Sequence, residues 1–413
     1  MDIVGEDSSM FMRSEKTKAR LIAFYLPQYH PIPENDLWWG KGFTEWTNVT
    51  KARPLFRGHH QPDLPSDLGF YDLRVPEIRK LQSDLAHRHG IEGFCYWHYW
   101  FGNGRRVLER IFTEVLESGE PNFPFCLGWA NETWTGVWHG LGDKILMKQE
   151  YPGEEDHIAH FQFLLRAFQD RRYIRVNGRP LLVIFRGEQL PNSAEVCALW
   201  RRLAQKNGLP GLYIATIAVK PEQTRTPEQT TAVGYDAAIT SEPGGFTSLG
   251  TLRNPLSFGF RVRRKARRWL GKSELLPKEP RIYSYAECAE KYSQLPPLPL
   301  HLHPCVFPNW DNTPRSGVRG VAFPDANPEL FGGVLRKTIA DVADRPHEER
   351  LIFVKSWNEW AEGNYLEPSV RFGHGYLEAT RNEITVRGPE FVAGSIETAG
   401  PSAVPSPRSS TSE

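Results

Sequence analysis

Leu351-Ile352-Phe353-Val354-Lys355-Ser356-Trp357-Asn358-Glu359-Trp360-Ala361-Glu362-Gly363 is the stretch from which the fold is read. A short apolar run rich in β-branched and aromatic residues predicts a buried strand over Leu351–Trp357. It breaks at once into Asn, Glu, Trp and Gly, a polar loop rather than a helix cap. The same grammar recurs upstream: apolar runs predict strands at Leu21–Leu26, Ile91–Trp97, Pro124–Trp129, Pro180–Phe185, Leu212–Ile217, Tyr235–Ser241 and Pro304–Pro308. Helical spacing falls between them. Val75, Ile78, Leu81 and Leu85 follow Asp72 as a candidate cap, and Val196, Leu199, Trp200 and Leu203 follow Asn192 and Glu195, which resemble a capping box. Further helical runs are expected near 105–118, 155–171, 221–233, 328–343 and 376–386.

Strands alternating with helices predict a parallel α/β sheet, and eight of them predict closure into a (β/α)8 TIM-type barrel. Setting aside a long loop after strand 1 (27–72) and an insertion after strand 6 (242–300), the core 20–387 has close to the roughly 250 residues of such a barrel. The rival is a doubly wound open sheet. It calls for a glycine-rich turn after the first strand, where this chain has Leu26-Pro27-Gln28-Tyr29. Residues 1–19 read as a flexible N-terminal arm. Residues 388–413, rich in Ser and Pro, read as a disordered tail.

Lys+Arg 50 against Asp+Glu 49 leaves a net charge of +1, which gives no footprint for nucleic acid. The five cysteines form no Cys-x-x-Cys pair and no zinc spacing, so neither a disulfide framework nor a metal is expected. His59-His60 read as loop histidines. No run of 18 apolar residues is present and Met1–Arg20 is polar, so a cytoplasmic setting without a membrane span is expected.

Chemistry in a barrel gathers at the C-terminal ends of its strands. Those ends carry Tyr25 and Tyr29; Tyr96 and His98; Trp129, Asn131 and Glu132; Glu242; Trp310, Asp311 and Asn312; and Trp357, Asn358 and Trp360. Glu45 and Trp46 lie in the long loop. Of 13 tryptophans, all but Trp200 and Trp269 fall on this one rim. Rings offer flat apolar platforms and the amides and acids between them offer directional hydrogen bonds, a combination that suits a sugar. The bland alternative is that the rings plug the barrel mouth. Glu359 and Glu362, three apart after the last strand, are the leading pair of acids for glycosidic chemistry, which generally takes two. Nearby rings and a like charge are expected to raise at least one pKa. Glu132 is the rival partner, and Glu45 and Glu242 are weaker candidates.

These residues are similar to those of the WbsX-type, glycoside hydrolase family 99-like proteins. The resemblance covers most of 20–387. It rests on Phe24-Tyr25-Leu26-Pro27-Gln28-Tyr29-His30, Gly42-Phe43-Thr44-Glu45-Trp46-Thr47-Asn48-Val49, Asp67-Leu68-Gly69-Phe70-Tyr71-Asp72, Trp129-Ala130-Asn131-Glu132, Trp310-Asp311-Asn312-Thr313-Pro314-Arg315 and Trp357 to Gly363. It implies a retaining, endo-mannosidase-like chemistry without cofactor, on a polysaccharide or lipopolysaccharide glycan. Glu359 would deprotonate the sugar's own 2-hydroxyl, and Glu362 would protonate the leaving oxygen. Ala361 stands where the mannosidases often have His, a departure that bears on sugar specificity. A WbsX-type glycosyltransferase of O-antigen or capsule assembly and a non-catalytic glycan-binding protein are the alternatives. The insertion holds a basic run, Arg261 to Arg268, that could meet a lipid-linked glycan or the inner face of the membrane, or form a solvated helix face.

Overall fold

The computed structural model describes residues 16–136, 144–218, 226–253 and 279–386. Arg261–Arg268, Trp138, Trp269, the tail 388–413 and most of 1–19 lie outside the described residues. Each expected strand forms: β1 (Arg20–Tyr25), β2 (Gly93–His98), β3 (Phe125–Trp129), β4 (Arg179–Ile184), β5 (Tyr213–Ala218), β6 (Ala237–Thr240), a seventh position in two pieces, β7 (Leu302–His303) and β8 (Cys305–Val306), and β9 (Leu351–Val354). All pair in parallel, in the order β7-β6-β5-β4-β3-β2-β1-β9-β8. Because β7 and β8 are separated by Pro304 alone, the ring closes through one residue.

The split has a covalent cause. Pro304 has no N–H to give a ladder, so the strand cannot run through it unbroken. Its carbonyl still accepts from Phe353 N at 2.9 Å. Leu302 pairs with Ala238 on one side and Cys305 with Phe353 on the other. The Thr240 hydroxyl accepts from Cys305 N at 2.8 Å and stitches the seam.

The helices in chain order are α1 (Pro33–Trp39), α2 (Glu45–Lys51), α3 (Pro76–Arg88), α4 (Glu109–Ser118), α5 (Glu154–Phe168), α6 (Ser193–Lys206), α7 (Pro227–Ala232), α8 (Gly244–Leu249), α9 (Tyr285–Ser293), α10 (Thr313–Ser316), α11 (Pro328–Val342) and α12 (Gly375–Ile384). α3 starts later than Asp72. That carboxylate holds Arg74 instead, at 3.0 and 2.6 Å, and Pro76 sets the first helical φ. α6 begins at Asn192 in a left-handed conformation with no side-chain cap bond, so the expected capping box is absent. Part of 242–300 is barrel rather than insertion: α9 packs on α11 and takes the outer-helix place between β6 and β7.

Trp200 anchors the α6 side. It is 0 % exposed, gives its N–H to His157 O at 2.9 Å, and lies 6.0 Å from the Trp129 ring. Trp200→Ala is expected to cost about 3–5 kcal/mol, read as a fall in the urea midpoint; an unchanged midpoint would show that the site collapses around the gap. All five cysteines are buried free thiols. Among the described residues, no helix is long and apolar enough to cross a membrane, and no group of three or more His, Cys, Asp or Glu could hold a metal ion.

Candidate active site

β9 ends at Val354, and the chain then turns back in a short hairpin that pairs Asn358–Glu359 with Asn364–Tyr365 around a single 3-10 turn at Trp360–Glu362. Every part of this hairpin is tied down. Asn358 is 0 % exposed and clasps Leu26, accepting from its N at 2.8 Å and donating to its O at 3.1 Å. The Tyr29 hydroxyl donates to Asn358 O and accepts from Trp360 N. Buried Glu367 accepts from Trp360 Nε1, Tyr71 Oη and Gln82 Nε2 at 2.7, 2.9 and 2.7 Å. The Trp360 and Tyr365 rings stack at 3.8 Å. Gly363 has φ +67°, and a Cβ there would stand 2.6 Å from Asp311 N, so the turn requires glycine.

The hairpin presents Glu359 and Glu362 to two cations. Arg315, from α10, donates to Glu362 at 2.6 Å, to Glu45 at 2.8 Å and to Glu359 at 3.2 Å. Lys355 lies 3.4 Å from Glu362 and 3.5 Å from Glu359. Burial and the neighbouring Glu362 charge raise the Glu359 pKa against the pull of Lys355 and Arg315. For Glu362 burial also pushes upward, but Lys355 and Arg315 outweigh it and hold the carboxyl below its ordinary value. The two carboxyls are therefore biased in opposite directions, Glu359 toward its protonated form and Glu362 toward its charged form.

The pair opens onto a cleft of about 320 Å³ at the C-terminal end of the barrel. Trp39, Trp97, Tyr99, Trp134, Phe185 and Trp310 supply its rings, and Glu45, Glu132, Asn35, Gln28, Asn312 and Arg186 its polar groups. Of the residues singled out from sequence, Glu45, Glu132, Trp310, Asn312, Glu359 and Glu362 line it. Tyr29, Trp46, Trp357, Asn358 and Trp360 stand behind the lining. Trp46 is wedged among Tyr29, Tyr71 and Trp360. Asn131, 0 % exposed, holds Arg186 through its backbone O and N at 2.9 and 2.7 Å. The Arg186 side chain in turn pairs with Glu132 at 2.8 Å.

Asp311 also turns away from the cleft. It accepts from His59 Nε2 at 2.6 Å and Gln61 Nε2 at 2.7 Å, and its backbone N holds Glu362 O at 2.8 Å. His59 Nδ1 accepts from Leu55 N, which fixes the ring proton on Nε2, facing Asp311.

Tyr25, Tyr96, His98 and Trp129 belong to the helix layer. Tyr25 donates to Gln82 of α3 at 2.7 Å, Tyr96 packs on Phe112 of α4, and Trp129 packs on His160 of α5. His98 meets His160 at 2.8 Å, and burial then Arg106 push its pKa down to about 3, so it stays neutral. Strand alternation explains the displacement: on β2, Tyr96 and His98 point outward while Trp97 points in. Trp97 and Trp134 take the rim positions expected of them, Tyr99, Arg186 and Lys355 are lining residues that the sequence reading did not single out, and Arg315 appeared there only within a quoted motif. Glu242 is not among the cleft lining; burial pushes its pKa up to about 8, against the donation from Phe246 N.

A closed parallel barrel with an aromatic-lined cleft and a carboxylate pair after its last strand has the architecture of glycoside-hydrolase-like barrels. Solved structures agree at the level of fold. A glycoside hydrolase-like protein matches at TM-score 0.54 and 15% identity, over 93% of this chain and 98% of its own. The GH99 endo-alpha-mannosidase from Bacteroides thetaiotaomicron matches at TM-score 0.51 and 15% identity, over 88% of this chain and 96% of its own. The family described as Glycosyltransferase WbsX matches residues 21–380, and the chain belongs to that family. Its curated relatives include the uncharacterized protein WxcX of Xanthomonas campestris pv. campestris strain B100, 38% identical over 382 residues. That match covers 91% of this chain, and the chain spans about half (51%) of the relative's length.

Proposed function

We propose that this chain breaks or transfers glycosidic bonds of an oligosaccharide or polysaccharide, with Glu359 and Glu362 as the catalytic pair and retention at the anomeric carbon. The observation that carries the reading is the pair itself: two buried acids of opposite electrostatic bias on a rigid hairpin, facing an aromatic-lined cleft. Glu359 takes the 2-hydroxyl proton as that oxygen attacks C1. The C1–O bond breaks, and the leaving oxygen takes a proton from Glu362. In the second half Glu362 takes a proton from water as it attacks C1, the C1–O2 bond breaks, and Glu359 returns its proton to the sugar's O2. The electrostatic bias of the pair runs against the attack, which needs Glu359 as the base and Glu362 as the acid. A sugar that draws Arg315 or Lys355 off Glu362 on binding would raise Glu362 and reverse that bias.

The second reading is transfer, favoured by the family's description. Incubation with defined oligosaccharides, with and without nucleotide sugars, separates the two by mass spectrometry. New reducing ends mark hydrolysis, elongation dependent on a nucleotide sugar marks transfer, and binding alone leaves a glycan-binding protein. A lipid-linked glycan at the inner membrane face, met through Arg261–Arg268, is part of this proposal. Salt-sensitive liposome binding lost on Arg→Ser changes supports it, and no binding at low salt sinks it.

A further inference from the structure

Asn35 is the buried residue of α1, a helix whose Leu37 is 83 % exposed. Asn35 itself is 0 % exposed and lies on the cleft lining. Neither its Nδ2 nor its Oδ1 has a hydrogen-bond partner, so the donor edge and the acceptor edge of one buried amide both stand unpaired. Trp310 Nε1, on the lining of the same cleft, is also buried and without a hydrogen-bond partner. Buried polar groups are almost always satisfied, so free donors and acceptors gathered on one cavity mark what is to be bound there. A side amide bearing one free donor edge and one free acceptor edge matches two adjacent hydroxyls, one accepting and one donating.

We propose that Asn35 is a specificity-determining residue that reads a pair of vicinal, unsubstituted hydroxyls on a neutral sugar unit in the cleft. The inference rests on the glycan reading above and narrows it. Sugars deoxygenated or N-acetylated at that pair are rejected, because the amide is then left unpaired against them. Discrimination of this kind is strong where a site is built to hydrogen-bond its ligand. The free protein carries the cost of an unpaired amide for the sake of the ligand, a trade of stability for function.

The test pairs two readouts. Asn35→Leu keeps the volume and removes both unpaired atoms, so the unliganded variant is expected to melt higher than wild type by at least about 2 °C. Asn35→Ala serves as the second variant if Leu does not fold, with an unchanged or slightly higher Tm expected. A clear fall in Tm for both would show that the amide is paired inside the protein, by an ordered water for instance, and would overturn the proposal. Binding is then read by tryptophan fluorescence with the methyl α-glycosides of mannose, glucose and galactose and their monodeoxy analogues. Wild type is expected to lose tenfold or more on one or two deoxy analogues, and the variants to bind the parent and those analogues alike. Discrimination unchanged in the variants sinks this inference alone. A wild type that binds no glycoside while Asn35→Leu still melts higher sinks the glycan reading, and this inference with it.

Discussion

Glu362→Gln is expected to lower turnover on an unactivated glycoside by about 10³-fold, within the range that a positioned general acid contributes. The fold should persist. The hairpin that carries residue 362 is fixed by Asn358, Tyr29, Ser356 and Glu367 rather than by the Glu362 side chain. A glycoside with a good leaving group needs no proton at the leaving oxygen, so its first step should recover most of the loss. Glu359→Gln should not be rescued in that way, since the base for the 2-hydroxyl is missing whatever the leaving group. The pH profile gives an independent readout. The Glu362 charge is one of the causes that raise Glu359. Removing it leaves Lys355 and Arg315 acting on Glu359 unopposed by that charge, so the acid limb assigned to Glu359 should move to lower pH. Wild-type turnover in Glu362→Gln would take that residue out of the acid role. An acid limb that stays in place would show that the two carboxyls do not share a proton.

The order of strands was readable because each is an apolar run bounded by Pro, Gly or a polar turn. Local composition decides that much. The broken seventh strand was less readable: Pro304 lies at the edge of the expected run Pro304–Pro308, and the piece before it, Leu302–His303, has too few residues to show a pattern. Glu359 and Glu362 were legible from their place just past the last strand. Which aromatic faces the cleft is set by parity along the strand, and counting from Gly93 would have favoured Trp97 over Tyr96 and His98. Two residues had no local signal. Lys355 continues an apolar strand and reads as its polar edge. Arg315 reaches Glu45 across 270 residues of chain, a contact that only closure of the barrel creates. The tryptophan rim divides in the same way: Trp39, Trp97, Trp134 and Trp310 face the cleft, while Trp46, Trp100, Trp129, Trp357 and Trp360 brace its walls.

Arg315→Met is expected to be the most destabilising single change near the site, by about 3–5 kcal/mol at neutral pH. Among the described residues Arg315 is the one side chain that touches Glu45, Glu359 and Glu362 together, and the Glu45 and Glu359 side chains are 1 % and 8 % exposed. Without the guanidinium, Lys355 remains for Glu359 and Glu362, and Glu45 keeps only the amide of Asn48 at 3.2 Å. The loss should depend on pH in a definite direction. In wild type the depressed pKa of Glu362 contributes stability that is present above the unfolded value and is lost as pH falls through the folded one. In the variant Glu359 and Glu362 lose a partner that opposed burial, so their folded pKa values rise. Folding then takes up protons, and the variant gains on wild type as the solution is acidified. The Tm difference should therefore be largest near pH 7 and shrink toward pH 4.5. Arg315→Lys should recover only part of it, because an ammonium cannot present the guanidinium's spread of donors to three acids at once. A Tm gap independent of pH would mean that Arg315 matters for its packing and not for the charges it holds together.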